Sequence, residues 1–168
     1  RQHASWSSDR YRHYVENIVS RLAIHYGNNP TVIGWQIDNE PGHYGVVDYS
    51  ENAQAKFRIW LQKKYGTIDK LNDTWGASFW SETYQNFEQV RLPNQQEVPD
   101  KANPHAMLDL NRFMADELAG FVNMQADILR RHIHKDQWIT TNLIPIFNPV
   151  DPVRIDHPDF LTYTRYLV

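Results

Sequence analysis

Across 168 residues, 17 Lys and Arg stand against 20 Asp and Glu, a formal charge of -3 that offers no basic field to nucleic acid. There is no cysteine, which removes disulfides and thiolate metal sites, and no stretch approaches the ~20 apolar residues that span a bilayer. The length suits one domain with a real core, and the opening Arg1, without an initiator methionine or signal-like segment, reads as a piece of a longer polypeptide. Aromatics are plentiful, with six Trp, nine Tyr and seven Phe. Such rings fill cores, and they also stack on the C–H faces of sugars.

The first helix is predicted over 9–26, with Tyr11, Val15, Ile18, Val19, Leu22 and Tyr26 on one inward face. Ser7 or Ser8 suits its N-cap, and Gly27 a left-handed C′ position. Thr31 to Asp38 then reads as a strand buried on both faces, as in a parallel sheet covered by helices. Ser50 caps a second helix to about Tyr65, with Ala53, Phe57, Trp60, Leu61 and Tyr65 facing inward and Gly66 ending it. A short helix from Ile68 to about Trp75 closes at Gly76. From Ala77 to Lys101 there is no clean period, and this segment reads as an ordered excursion. Asn103 and Pro104 form an N-cap and N1 pair for a long helix to about His134. Trp138 to Ile144 is the second buried strand, and Asp159 to Tyr163 begins a third. This order predicts an α/β chain with a parallel sheet.

The residues with the most chemistry end the first strand. Val32 to Glu40 reads V-I-G-W-Q-I-D-N-E and is followed at once by Pro41 and Gly42. A carboxylic acid at the C-terminal lip of a buried strand, beside an amide, is a way to present a proton donor to a sugar. A solvated strand-end carboxylate is the plain alternative for Glu40, and a turn residue before Pro41 the alternative for Asn39. Asp38 should face away from Asn39 and reads as a structural hydrogen-bonding group. His132 and His134, two apart at a helix end, point to different faces and read as cations rather than metal ligands.

Three segments carry a family resemblance: R-Q-H-A-S from Arg1 to Ser5, V-I-G-W-Q-I-D-N-E, and K-K-Y-G-T-I-D-K-L-N-D-T-W-G-A-S-F-W from Lys63 to Trp80. The chain resembles the middle of the catalytic barrel of glycoside hydrolase family 42 β-galactosidases. That resemblance implies a single incomplete domain over 1–168, part of a TIM (β/α)8 barrel covering about strands four to six. A closed barrel needs ~200 to 250 residues. It implies Glu40 as general acid/base and Asn39 as hydrogen-bonding partner of the sugar hydroxyl next to the reacting carbon. Arg1 aligns with an arginine that contacts galactose. Tyr166 is the counterpart of a tyrosine near the catalytic pair, although this chain reads T-Y-T-R-Y-L where the family has S-W-D-x-Y-P. Trp80 is a candidate for an aromatic that closes the sugar pocket of a neighbouring subunit, with packing as its other reading.

The family is retaining, and its nucleophile is a glutamate at the end of the seventh strand. No Glu follows Glu117 here, so the chain holds the acid/base without that partner. Many members bind zinc through cysteines. With Ser5 in place of one ligand, no structural zinc is expected, and no cofactor. The implied partners are a galactoside substrate and further copies of the chain in a homo-oligomer, with neither nucleic acid nor membrane. Two alternatives from another class stay open: a non-catalytic carbohydrate-binding module or a structural α/β module. A third is a related barrel glycosidase specific for a different sugar.

Overall fold

The computed structural model describes residues 4–42, 47–94, 103–144 and 150–165. Arg1, Tyr166, the end of the excursion at 95–101 and the loop residues His43 and Tyr44 lie outside the described residues. The elements follow as α1 (Asp9–Tyr26), β1 (Gly34–Gln36), α2 (Glu51–Tyr65), α3 (Ile68–Trp75), α4 (Pro104–Arg130), β2 (Trp138–Leu143) and β3 (Phe160–Tyr163). Single 3₁₀ turns occur at Phe87–Gln89 and Pro152–Arg154. Two compact units divide the chain, one of Arg1–Val47 with Met114–Val168 and one of Asp48–Phe113.

The first unit holds the sheet. Its strands are all parallel in the order β1-β2-β3, with Trp35 opposite Ile139 and Asn142 opposite Thr162. One face of the sheet, carrying Ile37, Ile139 and Leu143, packs on Ala23 of α1 and on Ala119, Val122, Ala126 and Leu129 of α4. Ser8 caps α1 by accepting a hydrogen bond from the Tyr11 N–H at 3.3 Å.

The predicted inward stripe of α1 is only half inward. Tyr11, Val15 and Val19 pack on the core, whereas Ile18, Leu22 and Tyr26 are exposed. The centre of the buried face lies between Val19 and Ala23. Ile18 and Leu22 each precede one of these by a single residue, and so stand about 100° round the helix.

The first strand is shorter and barer than predicted. Only Gly34 to Gln36 pair as strand, and their burial runs from half-buried to exposed. Thr31 is held in a turn by the Asn29 side chain, and Asp38 leaves the strand with a φ of 53°. Trp35 and Ile37 face the helices while Gln36, on the other face, is exposed. The helices cover one side of this strand, and parallel pairing by itself does not cover the second.

Gly27 is right-handed at φ -62°, not left-handed. Its value is close approach: a Cβ there would stand 2.5 Å from the His132 carbonyl oxygen. The same contact explains why α4 ends at Arg130 rather than His134. The chain tightens with His132 and Ile133 N–H groups both donating to the Leu129 carbonyl, and the His134 N–H donates to the Gly27 carbonyl. Ile133 is thereby buried, and His132 and His134 lie beyond the helix.

In the second unit, Ser50 and Thr67 cap α2 and α3, and Gly66 and Gly76 end them at φ 77° and 59°. Phe57, Leu61, Leu71, Trp75 and Phe113 form its buried centre. Trp60, expected inward, is half-buried, with Lys64 over its ring at 5.0 Å. Within the described part of the excursion, 77–94, side chains of the helices hold the backbone in place. The Asn72 side chain exchanges two hydrogen bonds with the Tyr84 backbone, while Gln54 and Arg58 donate to the Val90 carbonyl. Asn103 caps α4, its Oδ1 accepting from the N–H groups of His105 and Ala106.

Candidate active site

The C-terminal ends of the three strands meet at one amide. Asn142, near the end of β2, accepts through Oδ1 from Gln36 Nε2 at 3.0 Å and from the Glu40 backbone N–H at 3.1 Å. Through Nδ2 it donates to Asn39 Oδ1 at 3.1 Å and to Thr164 Oγ1 at 2.9 Å. All four hydrogen-bonding positions of an amide are in use. Asn39 and Glu40, singled out in the sequence, are thus tied to the same side chain.

The backbone around them is bent to a degree that needs restraint. Asp38 and Glu40 have φ values of 53° and 50°. For glutamate this left-handed region is uncommon, and such strain is typically about 1–3 kcal/mol. Gly42, at φ 81°, follows closely packed on Leu118 and Val150, where a Cβ would meet the Val150 methyl at 2.7 Å. The result is a glutamate only 8% exposed at the rim of the sheet.

Asp38 turns the other way. Its Oδ2 accepts from Gln125 Nε2 of α4 at 3.3 Å, which fits a structural hydrogen-bonding group. The residue keeps surface in solvent, yet the protein crowding its carboxyl pushes its pKa up, against the opposing effect of donors from Gln125 and Asn39. Burial, then the Asp38 charge, also raises the Tyr11 phenol.

The other predicted site residues belong to the second unit or lie outside the described residues. Arg1 and Tyr166 are not among the described residues. Trp80 belongs to the second unit, half-buried in a turn, with the exposed Phe79 ring edge-on at 5.2 Å. Ser5 is engaged at the start of α1, its Oγ accepting from the Ser7 N–H. Among the described residues no group of three His, Asp or Glu side chains is arranged to hold a metal ion, and no helix is long and apolar enough to cross a membrane. Sequence reasoning missed Asn142, Gln36 and Thr164. The signal for Asn142 was its type, since asparagine is depleted in strands and W-I-T-T-N-L is otherwise strand-forming.

The sequence profile of glycoside hydrolase family 42, described as β-galactosidase, matches residues 1–168. The chain belongs to glycoside hydrolase family 42. Similar proteins include β-galactosidase BgaA of a Thermus species, 39% identical over 99% of this chain, and a Thermus thermophilus β-galactosidase, 38% identical over 99%. In each case the chain spans 26% of the relative's length. Among solved structures, the β-galactosidase of the psychrophilic Marinomonas ef1 superposes with a TM-score of 0.90 at 35% identity, covering 99% of this chain and 26% of that one. The enzyme from Halorubrum lacusprofundi gives 0.89 at 32% identity, over 99% of this chain and 25% of its own. The parallel α/β architecture is therefore that of family-42 β-galactosidases, as the resemblance implied.

Proposed function

We propose that this chain carries the acid/base half of a retaining β-galactosidase, over about strands four to six of its barrel. In this reading Glu40 is the proton donor and Asn39 binds the 2-hydroxyl of galactose. Arg1 and Tyr166 are further sugar contacts, and Trp80 serves the pocket of a neighbouring copy. The observation that carries it is Glu40 itself, a buried residue held in strained backbone beside Asn39 just beyond the end of β1. Galactose as substrate is supported by the relatives, which are β-galactosidases.

The chemistry follows from two carboxyl groups about 5 to 5.5 Å apart across the glycosidic bond. One attacks the anomeric carbon and forms a glycosyl-enzyme as the leaving oxygen departs. Glu40 gives its proton to that oxygen, then takes one from the water that releases the sugar. The attacking carboxylate is a glutamate of the full-length protein outside residues 1–168. An Asn39 hydrogen bond to the 2-hydroxyl gains strength as the ring acquires oxocarbenium character.

Glu40→Ala in the full-length protein tests the reading. Turnover of a galactoside with a poor leaving group is expected to fall about 10²- to 10⁴-fold. Glycosylation by an activated aryl galactoside should fall far less, because its leaving group needs little protonation. Azide should restore turnover by displacing the enzyme carboxylate from the glycosyl-enzyme, giving β-galactosyl azide. Equal losses on both substrates without azide rescue would overturn the assignment.

A further inference from the structure

Amide side chains have two chemically different ends, and one contact here decides which end is which. A backbone N–H can only donate. The Asn142 atom that meets the Glu40 N–H at 3.1 Å is therefore its oxygen. The same oxygen takes the Gln36 Nε2 hydrogen at 3.0 Å, so the opposite end of Asn142 is the NH₂ group. That group meets Asn39 at 3.1 Å and needs an acceptor there, which makes the contacting atom Asn39 Oδ1. Its second hydrogen goes to Thr164 Oγ1 at 2.9 Å, so the relay is complete without a spare position.

We propose that Asn142 is a positioning residue that sets the polarity of the site: through the Glu40 backbone N–H it locks Asn39 with its NH₂ toward the ligand. The inference rests on the reading of Asn39 as the group that binds the sugar 2-hydroxyl. Asn39 is exposed, and with its oxygen turned toward Asn142 it presents its NH₂, a hydrogen-bond donor, to position C2. An acceptor at C2, such as a hydroxyl oxygen, is matched. A donor-only group at C2, such as an ammonium, is refused. Sugar selectivity at C2 thus originates behind the residue that touches the ligand, in a side chain on a different strand.

The test uses the full-length enzyme and three aryl β-galactosides that differ only at C2: the hydroxyl, the 2-deoxy and the 2-amino-2-deoxy sugar, the last protonated. Ratios of kcat/KM within one preparation cancel any loss of folded enzyme. Asn142→Asp keeps the acceptor for the Glu40 N–H but presents oxygen to Asn39, which must then turn its own oxygen outward. The 2-ammonium to 2-hydroxyl ratio is expected to rise about tenfold or more, the size of one hydrogen bond gained and one lost. That gain should vanish in the Asn39→Ala/Asn142→Asp double variant. A ratio unchanged by Asn142→Asp, or a gain that persists without Asn39 and so reflects the added charge alone, overturns the proposal. Should the Asp variant not fold, Asn142→Leu removes the clamp, and the hydroxyl to deoxy ratio should fall toward that of Asn39→Ala. No fall overturns the proposal equally. If Asn39→Ala itself leaves the hydroxyl to deoxy ratio at the wild-type value, the reading of Asn39 beneath this proposal is what fails.

Discussion

Asp109 and Asp38 are two carboxyls in opposite electrostatic settings. Asp109 is 2% exposed, yet Lys64 pairs with it, and the Tyr65 hydroxyl and the Trp75 indole N–H donate to it at 2.5 and 3.0 Å. Burial alone would raise its pKa. The donors from Lys64, Tyr65 and Trp75 outweigh that and hold it below the ordinary carboxylate range, while burial and Asp109 push the Tyr65 phenol up to about 12. A carboxylate with a depressed folded pKa stabilises the fold fully above its unfolded pKa, and this is lost as pH falls through the folded value. Asp109→Ala strands three donors and is expected to destabilise the protein by about 2–4 kcal/mol at neutral pH in urea unfolding. The deficit should shrink in acid. A deficit independent of pH would show that the charge is not the source. Nothing in the sequence marked Asp109, because Lys64, Tyr65 and Trp75, the donors that lower its pKa, lie 34 to 45 residues away along the chain.

At the level of elements, helix starts were readable because a cap is a local device. Ser8, Ser50, Thr67 and Asn103 each accept backbone N–H groups within three residues. Helix ends were less readable where a remote segment decides them. Gly27 looked like a left-handed cap, but its role is to admit the His132 backbone from the far end of α4. Gly27→Ala should therefore cost about 1–3 kcal/mol, as overpacking does, even though a right-handed φ usually favours alanine over glycine. A rise in thermal midpoint for this variant would refute the close-approach argument. The same pattern recurs between strands. Gly34 sits opposite Trp138, and a Cβ there would meet the indole at 2.1 Å, so the ring occupies the space that the glycine leaves.

At the scale of the molecule, the sheet is covered on the helix side, whereas Ile33, Trp138, Phe160 and Tyr163 remain exposed in and beside the strands. Both outer strands also leave one edge unpaired by a further strand of the described sheet. Bare strand edges and apolar patches recruit partners. We expect the isolated 168-residue chain to self-associate, most simply as a two-fold dimer. It should not turn over a β-galactoside, since proton donation contributes only about 10²- to 10⁴-fold by itself. Light scattering at micromolar concentration and a galactoside assay on the same material check both. A compact monomer with little hydrophobic-dye binding would refute the first, and turnover abolished by Glu40→Gln the second.

What the sequence by itself determined is whatever depends on neighbours a few residues apart. The bounds of α1, α2 and α3, the start of the strand at Trp138 and the Asn39-Glu40 pair before Pro41 all follow from caps, periodicity and chain breakers. The tertiary structure alone decided which face of α1 is inside, where α4 stops, and that β1 is covered on one side only. It also decided that Asn142, about a hundred residues beyond Glu40, closes the hydrogen-bond relay beneath the candidate site. The physical reason is range. Local backbone groups find their partners within a turn or two of the chain. A buried amide or carboxylate takes whichever partner the folded packing brings within hydrogen-bonding distance, and that separation leaves no period in the sequence to read.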